Sequence, residues 1–229
     1  MIKQNIEEVQ KCIEQACQRC GRSSSEVTLI AVSKTKPFSM IQEAYEAGMQ
    51  QFGENKPQEL RDKAKQCTIP IQWHMIGTLQ TNKIKYVVGT ACCIHSVDSL
   101  SLAAAIEKEA KKQETKIDIL LEVNIAKEDS KHGFLEEEIM DAVIEVSKMP
   151  HLCLRGLMTV APYTENAEEN RIYFRKMKQI LIDISSKNID NVTMDILSMG
   201  MSSDYEVAIE EGSTMVRIGT GIFGERIYP

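Results

Sequence analysis

The sequence predicts a single α/β barrel of the (β/α)8, TIM-type class with one extra helix at its N-terminal side. Three observations carry this expectation. Short runs with strand character recur eight times between residues 28 and 218. A helical pattern separates each from the next, which implies parallel pairing with right-handed crossovers, and eight units imply closure rather than an open sheet. No composition shift, Pro/Ser-rich linker or low-complexity tract divides the 229 residues, so residues 1–229 are read as one domain.

The elements follow in order. Residues 2–20 form an amphipathic helix, with Ile2, Ile6, Val9, Ile13 and Ala16 at helical spacing and Gly21 stopping it. Leu29, Ile30, Ala31 and Val32 make a charge-free run of the kind buried on both faces. Pro37 opens a helix over 38–47 that ends at Gly48, residues 51–55 form a second strand, and 57–66 the next helix. Strands are expected at 71–76, 91–96, 117–124, 152–160, 192–198 and 215–218. Helices are expected at 81–88, 135–148, 166–187 and 202–211, and one capped by Asp98 or Ser99 runs to about Lys112. The triplet Glu136-Glu137-Glu138 fits a helix start, where the dipole favours carboxylates.

Hydrophobic residues make up 43% and charged residues 26% of the chain, enough for a sizeable core. A net charge of −6 and a pI near 5.4 argue against nucleic acid or an anionic membrane as main partner. No apolar run reaches membrane-spanning length, and the start Met-Ile-Lys-Gln-Asn-Ile-Glu-Glu is too polar for a signal peptide. The seven cysteines are odd in number and scattered, and Cys17-Gln-Arg-Cys20 falls at i, i+3 of a helix without a second pair. Reduced thiols in a cytoplasmic protein, with no metal site, are therefore expected.

In a barrel of this type chemistry is assembled at the carboxyl ends of the strands. Alternation puts Thr28, Ile30, Val32 and Lys34 on one face, and with that face inward Lys34 stands at the mouth above apolar residues. Partial desolvation there disfavours the ammonium and frees the amine as a nucleophile toward an aldehyde. The other strand ends supply Glu54-Asn55, His74, Asn124, Met158-Thr159, Ser198-Met199-Gly200 and Arg217-Ile218-Gly219-Thr220. Gly200-Met201-Ser202 and Gly219-Thr220-Gly221 are suited to a phosphate, because glycines let backbone approach an anion and the hydroxyls donate to it. His74 is read equally as a satisfied core histidine and as a ligand contact, Met158 and Met199 first as core, and Lys36 and Lys83 as solvated. A reactive lysine opposite a phosphate cradle implies a phosphorylated aldehyde held as an imine, and pyridoxal 5′-phosphate fits. Arg217 could then meet the ring nitrogen. Because a guanidinium keeps its protons, the ring would stay unprotonated and be a weaker electron sink.

At these residues the sequence resembles the YggS/PROSC family, the pyridoxal phosphate homeostasis proteins. The matching segments are Ala31-Val32-Ser33-Lys34-Thr35-Lys36-Pro37, Phe52-Gly53-Glu54-Asn55, Trp73-His74-Met75-Ile76-Gly77 and Leu79-Gln80-Thr81-Asn82-Lys83. Further along come Arg155-Gly156-Leu157-Met158, Leu197-Ser198-Met199-Gly200-Met201-Ser202 and Val216-Arg217-Ile218-Gly219-Thr220. The resemblance implies a fold like the N-terminal barrel of alanine racemase, the pyridoxal-phosphate fold type III without its C-terminal β-domain, and a Schiff base on Lys34. The candidate cofactor set is Lys34, Asn55, His74, Met158, Ser198, Gly200, Ser202, Arg217, Gly219 and Thr220. Two places depart from the family pattern: Lys56-Pro57 stands where Tyr-Val is common, and Thr78 where proline is common.

Three functions are compatible with these residues: a pyridoxal phosphate carrier and homeostasis protein without turnover, a pyridoxal-phosphate amino-acid racemase, and a class I aldolase. In the resembling family a racemase of the alanine type takes a second acid/base, typically a tyrosine, from a separate β-domain. Eight strand–helix units are expected to use the chain down to Pro229, and of the six tyrosines only Tyr163 and Tyr205 fall near the mouth. The carrier reading leads. It carries the expectation of a monomer whose recipients are apo pyridoxal-phosphate enzymes.

Overall fold

Eight short segments pair edge to edge until no free edge is left. The structure, a computed structural model, describes residues 1–225, so Tyr228 and the last residues of the expected domain lie outside the described residues. The strands are β1 Thr28–Val32, β2 Gln51–Glu54, β3 Gln72–Met75, β4 Cys93–Val97, β5 Ile117–Glu122, β6 Leu152–Met158, β7 Val192–Met201 and β8 Met215–Ile218. They form a closed barrel in chain order, parallel throughout, with β1 pairing β8 to close it. This is the expected architecture.

The helices are α1 Ile2–Arg19, α2 Phe38–Glu46, α3 Pro57–Gln66, α4 Leu100–Lys112, α5 Ile139–Ser147, α6 Arg171–Ser185, α7 Tyr205–Glu210 and α8 Thr220–Phe223. With only four residues, α8 cannot cover the seam between β8 and β1. The leading helix does so instead: α1 packs against α2, α7 and α8, and its stripe Ile2, Ile6, Val9, Ile13, Ala16 and Cys17 is buried. Asn5 Nδ2 ties it to the Ile222 carbonyl at 2.9 Å.

Several boundaries differ from the sequence expectation. The segment expected as a helix over 81–88 is a 3-10 helix, Thr81–Tyr86, running into the β-branched pair Val87-Val88 and then Gly89. The helix expected from 202 starts only at Tyr205, because β7 continues to Met201. α8 and a 3-10 turn at Ser24–Glu26 are additional, each too short to leave a periodic pattern. All seven cysteines are free. Cys20 donates its thiol to the Ala16 carbonyl at 3.3 Å, a local helix contact.

Most of the core lies between sheet and helices, where Phe52 and Trp73 meet at 6.0 Å between ring centroids. The bore is narrower, with an apolar plug of Cys93, Leu120 and Met158. Beside that plug the bore is polar, and the site begins there.

Candidate functional site

Register fixes which side chains share the bore. Ile30 pairs Arg217, Val32 pairs Gly53, and Gly53 pairs His74, so these residues lie on the inner face. Trp73, on the opposite face of β3, packs outward against Phe52. Lys34 lies in the turn two residues past the end of β1 and is half-buried.

The backbone on both sides of Lys34 is pinned by ions. Lys63 of α3, with only 9% of its side chain exposed, donates to the Ser33 carbonyl, to Glu54 Oε1 and to Glu59 Oε1, each at 2.7 Å. Ser33 Oγ donates to the same Glu54 oxygen at 2.6 Å, and the Thr35 N–H donates to Glu59 Oε1 at 2.6 Å. Thr35 sits at φ 64°, a left-handed conformation unusual for a β-branched residue, so the turn depends on these bonds. Burial raises the Glu54 carboxyl above the usual range, opposed by Lys63. Glu54 Oε2 is buried with no partner among the described residues.

Asn55 follows Glu54 at the rim. A side chain at Gly77 would reach within 2.5 Å of the Asn55 carbonyl, so glycine is what lets these two segments touch. Asn55 Oδ1 is a buried acceptor with no partner among the described residues.

On β8, the neighbour of β1, Arg217 is 4% exposed. Its Nη1 donates to Ser198 Oγ at 2.6 Å and its Nη2 to the Thr159 carbonyl at 2.8 Å. Complete burial pulls its guanidinium down to about 10, partly offset by Glu122 and then Asp204. Ser198 Oγ lies 2.9 Å from His95 Nδ1, His95 Nε2 lies 2.9 Å from His74 Nδ1, and His74 Nε2 lies 2.7 Å from Gln51 Oε1. Burial lowers His74 to about 4 and pushes His95 well below the usual imidazole range. Both rings are therefore neutral near pH 7. Cys93 Sγ and the two rings lie within 4.8 Å of one another, but the imidazole nitrogens are already committed to this chain of bonds.

The seventh and eighth loops close the mouth. At Gly200, φ is 91° and a Cβ would sit 2.6 Å from Ala208 Cβ and 2.9 Å from Tyr205 Cα, so no side chain fits. Asp204 accepts from the Met201 N–H at 2.7 Å and from Asn170 Nδ2 at 2.9 Å, holding the turn that presents Ser202 and Ser203 to solvent. Gly219 and the exposed Thr220 lead into α8 beside Val32.

Three expected placements change, those of Lys36, Tyr205 and Asn124. Lys36 is not solvated: its Nζ donates to the carbonyls of Phe223, Gly224 and Glu225, capping α8 and drawing that end toward loop 1. Tyr205 turns away from the mouth toward Cys12 of α1, where burial raises its phenol. Tyr163 is 90% exposed. Asn124 lies beyond β5 and clamps its own loop, bonding the Glu128 N–H and carbonyl.

The profile of the family described as "Alanine racemase, N-terminal domain" matches residues 2–227. A pyridoxal phosphate homeostasis protein of Aquifex aeolicus is 42% identical over 226 residues, covering 98% of each chain. One of Escherichia coli K12 is 40% identical over 232 residues, covering 99% of this chain and 97% of the relative. The chain belongs to the pyridoxal phosphate homeostasis protein family. Among solved structures, PipY of Synechococcus elongatus with PLP bound superposes at a TM-score of 0.85, with 30% identity over 98% of this chain and all of that one. The alanine racemase of Clostridium difficile matches at a TM-score of 0.75 and 15% identity, with 99% of this chain on 57% of that one; it shares the fold.

Within this homeostasis-family barrel the sequence reading singled out Lys34, Asn55 and the two rim loops but not the residues bonded around them. Glu59 and Lys63 stand at i, i+4 on the helix after Asn55, a visible pairing signal. His95 and Gln51 fall on the inward alternation of their strands, a weaker one.

Proposed function

We propose that this chain holds pyridoxal 5′-phosphate at the barrel mouth and passes it to apo pyridoxal-phosphate enzymes without turning over a substrate of its own. The observation that carries the reading is that the turn holding Lys34 is pinned at Ser33 and Thr35, in a barrel whose β8, leading to Gly219 and Thr220, pairs directly with β1. The donor set suits the group: Asn55 offers a buried acceptor without a partner among the described residues, and Gly200 has no room for a side chain.

Lys34 would hold the group through its amine, the nucleophile this chain offers to an aldehyde, with the aldehyde oxygen lost as water. Ser202 and Thr220, with the backbone at Gly200 and Gly219, would hold the phosphate, and Arg217 would serve the ring nitrogen. His74, Met158 and Ser198 form the wall beneath. The bound cofactor supplies an electron sink, and an arginine-partnered ring is a weak one. This favours holding over carbanion chemistry, and so do the positions of Tyr163 and Tyr205, neither of which serves as a second acid/base. The same reading makes the protein a cytoplasmic monomer.

Borohydride reduction of the yellow protein followed by peptide mapping should place the pyridoxyl mass on the peptide containing Lys34. Finding it mainly on Lys36 or Lys83 overturns the assignment, and a colourless protein points to the aldolase. Incubation with L- and D-amino acids in heavy water should give no Cα exchange above roughly 1 s⁻¹, whereas exchange at that rate makes the chain a racemase. Mixing with an apoenzyme should restore that enzyme's activity.

A further inference from the structure

Gln51, His74, His95 and Ser198 come from four strands and end on Arg217, and one arrangement of hydrogens satisfies the whole series. A guanidinium only donates, so Ser198 Oγ accepts from Arg217 Nη1 at 2.6 Å. The serine's single hydrogen must then go elsewhere. At 0% exposure its other partner among the described residues is His95 Nδ1 at 2.9 Å. His95 Nδ1 is therefore an acceptor, and the ring's proton lies on Nε2. That N–H donates to His74 Nδ1 at 2.9 Å, which places the His74 proton on Nε2, 2.7 Å from Gln51 Oε1. Every link has one donor and one acceptor.

We infer that Ser198, His95, His74 and Gln51 are positioning residues for Arg217: a one-way chain of donated hydrogens, Arg217 to Ser198 to His95 to His74 to Gln51, fixes the guanidinium under the mouth. Nη2 is held independently by the Thr159 carbonyl at 2.8 Å, so the planar fork is spanned on two sides. The grip comes from a hydroxyl and a carbonyl and does not cancel the charge, which Arg217 still presents to a ligand. Ser198 thereby serves the arginine and not the phosphate. Both rings need the same tautomer: a ring with its proton on Nδ1 would face a donor with a donor.

Nitrogen-15 NMR of the imidazoles in the ligand-free protein reads the tautomers directly. Both His74 and His95 should carry the proton on Nε2, and a proton on Nδ1 of either ring overturns the inference. Ser198→Ala should release the His95 tautomer into a mixture, and Ser198→Thr, which keeps the hydroxyl, should restore it. An unchanged His95 signature in Ser198→Ala would break the first link. A second arm rests on the proposed function. Ser198→Ala should weaken pyridoxal phosphate and phosphate-free pyridoxal by the same factor, about tenfold, with Ser198→Thr near wild type. A loss confined to pyridoxal phosphate would make Ser198 a phosphate ligand and sink the positioning role. If the wild-type protein bound neither compound, the proposed function would fail while the tautomers would still decide the chain.

Discussion

Two buried polar networks flank the barrel mouth, and they are built on opposite principles. Under loop 1, Lys63, Glu54 and Glu59 form a charged cluster around the residues next to Lys34. In the bore, Gln51, His74, His95 and Ser198 form a neutral series beneath Arg217. Charges taken out of water lose several kcal/mol of solvation each and recover it only while every partner stays in place. Neutral groups lose less and depend instead on hydrogen direction. The charged cluster is thus a stiff anchor for backbone, and the neutral series a guide for one side chain. Breaking each should give a different signature.

The largest effect is expected at the anchor. Lys63→Met leaves Glu54, whose side chain is fully buried, without its counter-ion, at a cost of about 3–5 kcal/mol. Adding Glu54→Leu removes both ions and should recover more than half of that loss, which urea unfolding of the single and double variants would show. A double variant as unstable as the single would mean that packing, not the unpaired charge, carries the cost.

The neutral series should respond to pH rather than to salt. His74 titrates at about 4 in the folded protein against about 6.5 when unfolded. Between these values the unfolded chain binds a proton that the native one refuses, so stability falls as pH drops through that window. The full shift corresponds to about 3 kcal/mol. His95 is displaced in the same direction. Glu54 acts oppositely: its raised native value means the folded form takes up a proton first, which offsets part of the loss in acid. Thermal melts from pH 7 to 4 should show a steep slope that flattens in His74→Asn, and equal slopes would remove the histidine from the account.

Between these two networks lies a limit on what sequence conveys. Period-two patterning survives in a charge-free run such as Leu29 to Val32, and it is what singles out Lys34 just beyond that run. The same logic placed His74 inward but could not choose between core and ligand roles, since its partners Gln51 and His95 are 23 and 21 residues away. Lys36 misled because a lysine beside a proline looks solvated, and only closure of β1 on β8 brings three C-terminal carbonyls to it. Tyr205 misled for a related reason. The helix was expected from residue 202, but β7 runs on to Met201, and the tyrosine turns toward α1.

At the rim, the two expected phosphate hydroxyls belong to neither network, which makes them a control on both. Ser202→Ala and Thr220→Ala remove exposed side chains, so stability should hardly move. Affinity for pyridoxal phosphate should fall by about 1.5–3 kcal/mol for each charge-assisted bond lost, with little change for phosphate-free pyridoxal. Equal losses for the two ligands would show that these loops hold no phosphate.

The smallest effect sharpens the comparison by separating charge from burial. Arg19 of α1 pairs with Glu206 at 2.8 Å and Glu210 at 2.6 Å, distances as short as those around Lys63. Its side chain is 47% exposed, however, so water already screens the pair, and burial, not distance, differs between the two clusters. Arg19→Ala should cost only about 0.2–1 kcal/mol, and the difference from wild type should vanish in about 1 M salt, where the Debye length shrinks to about 3 Å. The Lys63→Met loss should persist in the same salt, because ions do not enter the space under loop 1. A salt-resistant Arg19 effect would mean that α1 is held over the β8–β1 seam by this ion pair more than by its buried stripe of Ile2, Ile6, Val9 and Ile13.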